Sequence, residues 1–346
     1  MINVALCSFG MSGKVFHAPL ITAAPELHLH TILQRSKSDA LDTYPDVHIA
    51  KSFEEILQHP DIDLVVVNTP NELHFPMTEA ALKANKHVVV EKPFTLSISE
   101  GEALIQLAQQ QQRVLAVFQN KRLESDFLDA KAALDSGKLG RIVEVEWHYD
   151  RYRTHVTHKR WKEDKLPGSG TWYDLGIHMV DSMLSLFDMP EFVTADMRSL
   201  RRAEGSVDYF NVRFDYPDFR VILRSNTFVS EKTATVAIHG DKGSFLKFGQ
   251  DVQEGQLQQG VLPGMSGWAV PGDDNLAIIH SHINGDAIRE ELSGSTGCYE
   301  EFYNNIGNTI QQKEPLAFSA ARSLQGVRLL LAAEESQATA KTVAIN

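Results

Sequence analysis

Two textures follow one another along the 346 residues, and together they predict an α/β protein. A doubly wound parallel sheet comes first, then a second α/β domain built on a mainly antiparallel sheet. Over about the first 120 residues, short β-rich runs alternate with helical patterns, as βαβ units require. From Arg141 longer runs of alternating polarity succeed one another, as in an antiparallel sheet with one covered face. The chain is also longer than one core comfortably fills, so two domains are expected, residues 1–120 and 121–346.

The strands expected in the first part are Ile2–Cys7, Leu27–Leu33, Leu64–Val67, His87–Val90 and Val114–Phe118. Ser52 with Glu55 and Ser97 with Glu100 read as capping boxes at helix starts, and Pro76 suits a first helical turn. In the second part the expected strands are Ile142–Tyr152, Phe192–Leu200, Val207–Tyr216, Arg220–Phe228, Thr233–His239 and Ser244–Phe248. Tyr216-Pro217-Asp218 and Gly240-Asp241-Lys242-Gly243 supply turns between neighbours. A helix Thr171–Phe187 interrupts the series and stops at Asp188-Met189-Pro190. Helices near Cys298–Gln311 and Ala320–Ala338 close the domain, and the Gly- and Gln-rich stretch 249–272 reads as an irregular excursion.

A formal charge of −12 argues against a nucleic-acid binder, which would need a basic face, so anionic ligands must be held by local donors. Cys7 and Cys298 make neither a disulfide framework nor a thiolate metal site, which suits a reducing cytoplasm. Neither a signal peptide nor a membrane span is visible. His155 and His158 lack the spacing of a ligand set, so no metal is expected.

After the first strand, Ser8-Phe9-Gly10-Met11-Ser12-Gly13 matches the dinucleotide fingerprint G-x-G-x-x-G except for Ser8 in the first glycine place. Gly10 allows a pyrophosphate to approach the backbone, Gly13 allows close packing, and Met11 and Ser12 complete the turn of a Rossmann-type site. Pro19 lies too close behind for a long helix from Gly13, unless the helix starts near His17. At the end of the second strand, where an NAD enzyme usually has a carboxylate, the chain reads Gln34-Arg35-Ser36-Lys37. Arg35 and Ser36 can hold a 2′-phosphate, which favours NADP over NAD.

Glu91-Lys92-Pro93 follows Val88-Val89-Val90, delivering a lysine at the carboxyl end of a strand, where open α/β sheets bind ligands. Thr69-Pro70-Asn71-Glu72-Leu73-His74 follows another buried strand and can line the nicotinamide side; His74 would serve equally as a helix cap. Asp174 and His178 lie four apart on one helix, where a carboxylate can orient an imidazole that exchanges a proton. An ordinary helix-surface pair would have the same spacing. Tyr149-Asp150-Arg151-Tyr152-Arg153 offers aromatics and guanidinium groups to a polyhydroxylated ligand, or simply an exposed strand face.

Through Gly10-Met11-Ser12-Gly13, Thr69-Pro70-Asn71 with His74, Glu91-Lys92-Pro93 and Asp174-Leu175-Gly176-Ile177-His178, nearly the whole chain resembles the Gfo/Idh/MocA oxidoreductases. Ser12 to Leu20, Tyr149 to Arg153 and Val207-Asp208-Tyr209-Phe210 resemble the NADP-dependent scyllo-inositol dehydrogenase branch. The resemblance implies a Rossmann domain and a large open, mainly antiparallel sheet often used for dimer contacts. It implies metal-free hydride transfer at a sugar or cyclitol carbinol. Lys92 would then face nicotinamide and the reacting oxygen, with Glu91 also at the cofactor. Asp174 would position the polyol, His178 would exchange the proton, and Asn120, Tyr149, Tyr152 and Arg153 would bind substrate. The partners expected are a small polyol or sugar and further copies of the chain, with no nucleic acid and no membrane. Two alternatives stay open: a catalytically inactive NADP-binding sensor of the same fold, and an enzyme of another sugar, such as an anhydro sugar or an aldose.

Overall fold

The computed structural model describes every residue except 157–162, 232, 284 and 346. The chain forms two compact units. The first comprises Met1–Asn120, Gln253–Ala269 and Cys298–Leu324; the second comprises Lys121–Val252, Val270–Gly297 and Gln325–Asn346.

The first unit is organised by a parallel sheet of β1 (Ile2–Leu6), β2 (Leu27–Leu33), β3 (His48–Ala50), β4 (Leu64–Val67), β5 (His87–Val90) and β6 (Leu115–Val117). Its order is β3-β2-β1-β4-β5-β6, and every neighbouring pair runs parallel. The sequence runs outward from β1 in both directions, so the topological switch lies between β1 and β4. Leu64, Val65, Val66 and Val67 are all fully buried, as an apolar run in a sheet covered on both faces should be. Ser52 accepts from Glu55 N at 3.2 Å and Ser97 from Glu100 N at 3.3 Å, so both expected caps start helices, Phe53–Gln58 and Ile98–Gln110. The strand β3 was not foreseen; it is three residues long, with only Ile49 and Ala50 apolar.

The stretch after Gly13 resolves the difficulty of Pro19. A π-helical turn, Gly13–His17, runs without a break into the α-helical segment Ala18–Ala23, so the helix does not begin near His17 as expected; Pro19 lies just past the widened pitch, which accommodates its missing N–H. Within 249–272, expected to be irregular, a helix Gln253–Gln258 forms, and Gln253–Ala269 packs with the first unit.

The second unit carries a nine-stranded sheet: β7 (Ile142–His148), β8 (Phe192–Arg198), β9 (Tyr209–Asp215), β10 (Arg220–Asn226), β11 (Val236–Gly240), β12 (Gly243–Lys247), β13 (Leu276–Ile283), β14 (Asp286–Ser293) and β15 (Val343–Ala344). Its order is β14-β13-β12-β11-β7-β10-β9-β8-β15. Among the described residues only β7 and β10 pair in parallel, so the sheet is mixed but mostly antiparallel. The strands β9 and β10 bury every second residue, the pattern of a sheet with one face on a core. Both expected turns close hairpins, β9 to β10 and β11 to β12. The strands β13 and β14 extend the sheet beyond the sequence reading. Asp286, Arg289, Glu290 and Glu291 keep the edge strand β14 charged, which discourages further strand addition. Under the sheet the fully buried Lys247 pairs with Asp129 at 2.6 Å and with Asn275.

Candidate active site

In the first unit, β1 leads into the glycine turn. Ser8 stands where the fingerprint has glycine, and its Oγ accepts from Gly10 N at 3.3 Å, so the hydroxyl closes the turn. Asn68, at the end of β4, donates to Ser8 O at 2.9 Å and ties the turn to the switch point. A Cβ on Gly13 would come within 2.4 Å of Ser8 O and 3.0 Å of Asn68 Nδ2, so only glycine fits. Met11 is exposed at the tip and Ser12 half-buried. Arg35 and Ser36 are exposed beyond the end of β2.

These residues fit a nicotinamide dinucleotide. The turn sits at the carboxyl end of β1 beside the switch point, with backbone N–H groups at the start of a helical turn. Asn68 Oδ1 and Thr69 Oγ1 are buried beside it without a hydrogen-bond partner among the described residues, the state of polar atoms that await a ligand.

Two buried histidines brace the strand-end loops. His74 does not point its ring at solvent: Nδ1 lies 2.8 Å from Pro93 O and Nε2 3.0 Å from Thr69 O. It thus joins the Thr69-Pro70-Asn71 loop to Glu91-Lys92-Pro93. Burial lowers its pKa, against the pull of the two carbonyls and Glu91, so a neutral ring donates to one carbonyl and only abuts the other. The second brace is His17, at the end of the π-helical turn. It is fully buried, with Nδ1 2.7 Å from Tyr303 Oη and Nε2 3.0 Å from Glu91 Oε1. Burial raises the Glu91 pKa, but the hydrogen bond from His17 and the charge of Lys92 outweigh it, so the carboxyl lies below its ordinary range. Glu91 Oε2 in turn accepts from Lys92 N at 3.2 Å. No local pattern marks His17, because its partner Tyr303 lies 286 residues away; its one local signal is its place two residues before Pro19.

In the second unit, the expected plain helix from Thr171 is instead a π-helical turn, Trp172–Gly176, followed by an α-helix, Ile177–Phe187. Asp174, half-buried, belongs to the turn; His178, buried, belongs to the α-helix. Their four-residue spacing therefore crosses the junction of two helical pitches. The turn is anchored by Trp172, whose Nε1 donates to Leu330 O at 3.3 Å and whose ring meets Phe210 edge-on at 4.9 Å. Tyr173 Oη donates to Glu334 at 2.9 Å.

Tyr149 is buried, with Lys121 Nζ 5.5 Å from its ring centre. Burial, reinforced by Asp126 and Glu124, pushes its phenol well above the ordinary range. Tyr152, by contrast, is 63% exposed, and Arg153 is exposed with its N–H given to Thr227 O at 2.8 Å. Asn120, buried, is the last residue of the first unit's opening segment and the first of the 3₁₀ turn Asn120–Leu123. Arg122, not foreseen, grips Asp181 with two hydrogen bonds of 2.6 and 2.5 Å. His155 is exposed, and His158 lies outside the described residues.

Residues 2–119 match the model of an oxidoreductase family's NAD-binding Rossmann fold, and residues 131–345 match that family's C-terminal alpha/beta domain. The chain is 37% identical over 330 residues to the uncharacterized oxidoreductase YdgJ of Escherichia coli, covering 95% of this chain and 94% of that protein. It is 34% identical over 342 residues to scyllo-inositol 2-dehydrogenase (NADP(+)) IolW of Bacillus subtilis, covering 99% and 95%. Among solved structures it is similar to yvaA from Bacillus subtilis, with a TM-score of 0.94, 33% identity, and coverage of 99% and 100%.

Proposed function

Because the chain belongs to the Gfo/Idh/MocA oxidoreductase family, we propose that it is an NADP-dependent enzyme interconverting a cyclitol or sugar hydroxyl and its ketone. That it is an oxidoreductase with a nicotinamide-binding Rossmann domain follows from the family itself. The pair to try first is scyllo-inositol and scyllo-inosose, since IolW carries that name. Arg35 and Ser36 would hold the 2′-phosphate, and the turn Gly10 to Gly13 the pyrophosphate.

The observation that carries the reading is the doubly braced loop at the end of β5. A strand-end lysine whose neighbours are fixed by His17 and His74 is pre-positioned, and pre-positioned charge is what stabilises a developing alkoxide. NADPH, when bound, supplies the hydride. Lys92 offers its ammonium to the reacting oxygen, His178 gives or takes the proton, and Asp174 orients the polyol hydroxyls. Asn120, Tyr149, Tyr152 and Arg153 contribute polar contacts to the substrate, with the Lys121 ammonium over the Tyr149 ring. No helix among the described residues is long and apolar enough to cross a membrane. We place the enzyme in the cytoplasm as a homo-oligomer acting on a small molecule.

Steady-state rates with NADPH and NADH against inososes, anhydrofructose and aldoses test the reading. Lys92→Ala and His178→Ala should each lower kcat by at least about a hundredfold while NADPH still binds. Wild-type turnover in both variants, on the best substrate of the panel, would sink the assignment.

A further inference from the structure

The side chain that follows the glycine turn has a resting partner across the turn's flank. Lys14 N donates to Gly10 O at 2.9 Å, so its backbone is part of the turn. Its ammonium lies 2.7 Å from Asp39 Oδ2 and 5.1 Å from the centre of the Phe9 ring. Asp39 opens the 3₁₀ turn Asp39–Asp42 just beyond β2. The other oxygen of Asp39 is held by Gln34 Nε2, and Gln34 Oε1 accepts from Ala40 N at 3.0 Å. Asp39 therefore keeps a donor of its own whether or not Lys14 stays.

The Lys14–Asp39 pair spans the glycine turn and the segment after β2, the two places that flank the adenosine ribose in a doubly wound sheet. Beside it opens a hollow of about 240 Å³ lined by Phe9, Lys14, Asp39, Asp42, Thr43 and Tyr44. Phe9 and Tyr44 stand edge-on across it, 6.2 Å between ring centres. The side chains of Lys14 and Asp39 are 47% and 37% exposed, so water screens the pair and exchanging its partner costs little. Two carboxylates on the wall, Asp39 and Asp42, would repel a phosphate unless cations answer them. Among the described residues Lys14 is the one cation on that wall, with Arg35 and Lys37 in the adjoining segment.

We infer that Lys14 selects NADP over NAD: its ammonium leaves Asp39 for the 2′-phosphate, while Gln34 keeps Asp39 in place. This rests on the NADP reading above and names a determinant outside the Gln34-Arg35-Ser36-Lys37 turn. With NAD no phosphate competes, the Lys14–Asp39 pair stays closed, and removing Lys14 changes little. With NADP the ammonium exchanges a screened carboxylate for a dianion, which is a net gain.

The test is direct binding of NADPH and NADH, followed by quenching of tryptophan fluorescence, in the wild type, Lys14→Ala, Lys14→Arg and Asp39→Asn. A wild type that binds NADH as tightly as NADPH overturns the NADP reading, and the inference with it. Given a wild type that prefers NADPH, Lys14→Ala should lose at least about tenfold in NADPH affinity with NADH changed less than about threefold. Lys14→Arg should keep most of the preference, and Asp39→Asn should hold NADPH at least as tightly as the wild type. If Lys14→Ala weakens both cofactors equally, the lysine serves the shared pyrophosphate; if it changes neither, it serves only Asp39. Either result refutes the inference and leaves the NADP reading standing.

Discussion

Among the described residues the chain makes a π-helical turn twice, Gly13–His17 in the first unit and Trp172–Gly176 in the second, and each runs straight into an α-helix. Both carry motif residues, which accords with the concentration of such turns at functional sites. Both also contain a glycine that is required for space, since neither adopts a positive φ. The difference lies in what fills that space. At Gly13 the wall is the carbonyl of Ser8, part of the same turn, so nothing there can move without opening the turn. At Gly176 the wall is the Trp172 ring, whose Cε3 would lie 2.2 Å from an added Cβ. One turn is a backbone device that presents N–H groups. The other is a side-chain device that presents Asp174 and His178.

Breaking the first turn should do the most damage. Gly13→Ala forces Ser8 O away, costs about 3 kcal/mol by overpacking, and deforms the surface that would meet the pyrophosphate. We expect loss of measurable NADPH and NADH binding, by isothermal titration, in a protein whose second-unit amides keep wild-type hydrogen-exchange protection. Binding within about threefold of wild type would show that the turn is not the pyrophosphate cradle.

Gly176→Ala should be milder, because the obstacle is a ring. We expect about 2 kcal/mol of lost stability from a shifted Trp172, reduced kcat through displaced Asp174 and His178, and unchanged cofactor affinity. Pairing it with Trp172→Leu should recover part of the stability, since the smaller side chain clears the added methyl. The rescue fails if the glycine is required for backbone reasons, as at Gly13, and the contrast between the two turns then disappears.

What could be read beforehand follows the range of the interactions. Apolar runs such as Leu64–Val67 and the caps at Ser52 and Ser97 are local, so the parallel sheet and its helices were legible. The strand β14 was not, because Asp-Ala-Ile-Arg-Glu-Glu-Leu-Ser is an exposed edge whose apolar residues meet no core. At the site, the glycine turn and Glu91-Lys92-Pro93 announce themselves by spacing. The braces on them do not: His17 reaches Tyr303 and Glu91 from distant segments, and His74 reaches Pro93 O and Thr69 O through a fold no local pattern encodes. The π-helical pitch was likewise hidden. Asp174 and His178 look like an ordinary i, i+4 pair, and only the packing of the Trp172 ring on Gly176 marks the turn as different.

The two units also differ in how acid should act on them, and this gives the smallest effect. In the first unit burial lowers the imidazole pKa of His30, helped by His59 and His28, of His74, and of His87, the last to about 4 with Arg113 contributing. Such rings hold fewer protons folded than unfolded, so stability is lost as pH falls below the ordinary histidine range, from about 6.5 toward 4 for His87. In the second unit burial instead raises Glu124 to about 8 and Asp126 to about 6, with repulsion from Asp251 at both and from Asp126 at Glu124 that Lys121 does not cancel. Carboxyls raised in this way hold more protons folded than unfolded, so their contribution is present in acid and is lost as pH rises through those values. The signs oppose. Between pH 7.5 and 5.5, hydrogen exchange corrected for intrinsic rate should speed up in β2, β4 and β5 by about tenfold, the effect of roughly one pKa unit. Exchange in β7, β9 and β10 should slow or hold. Equal acceleration in both sets would mean that the buried carboxyls of the second unit are ionised in the folded state, and that Lys121 is strong enough to keep them so.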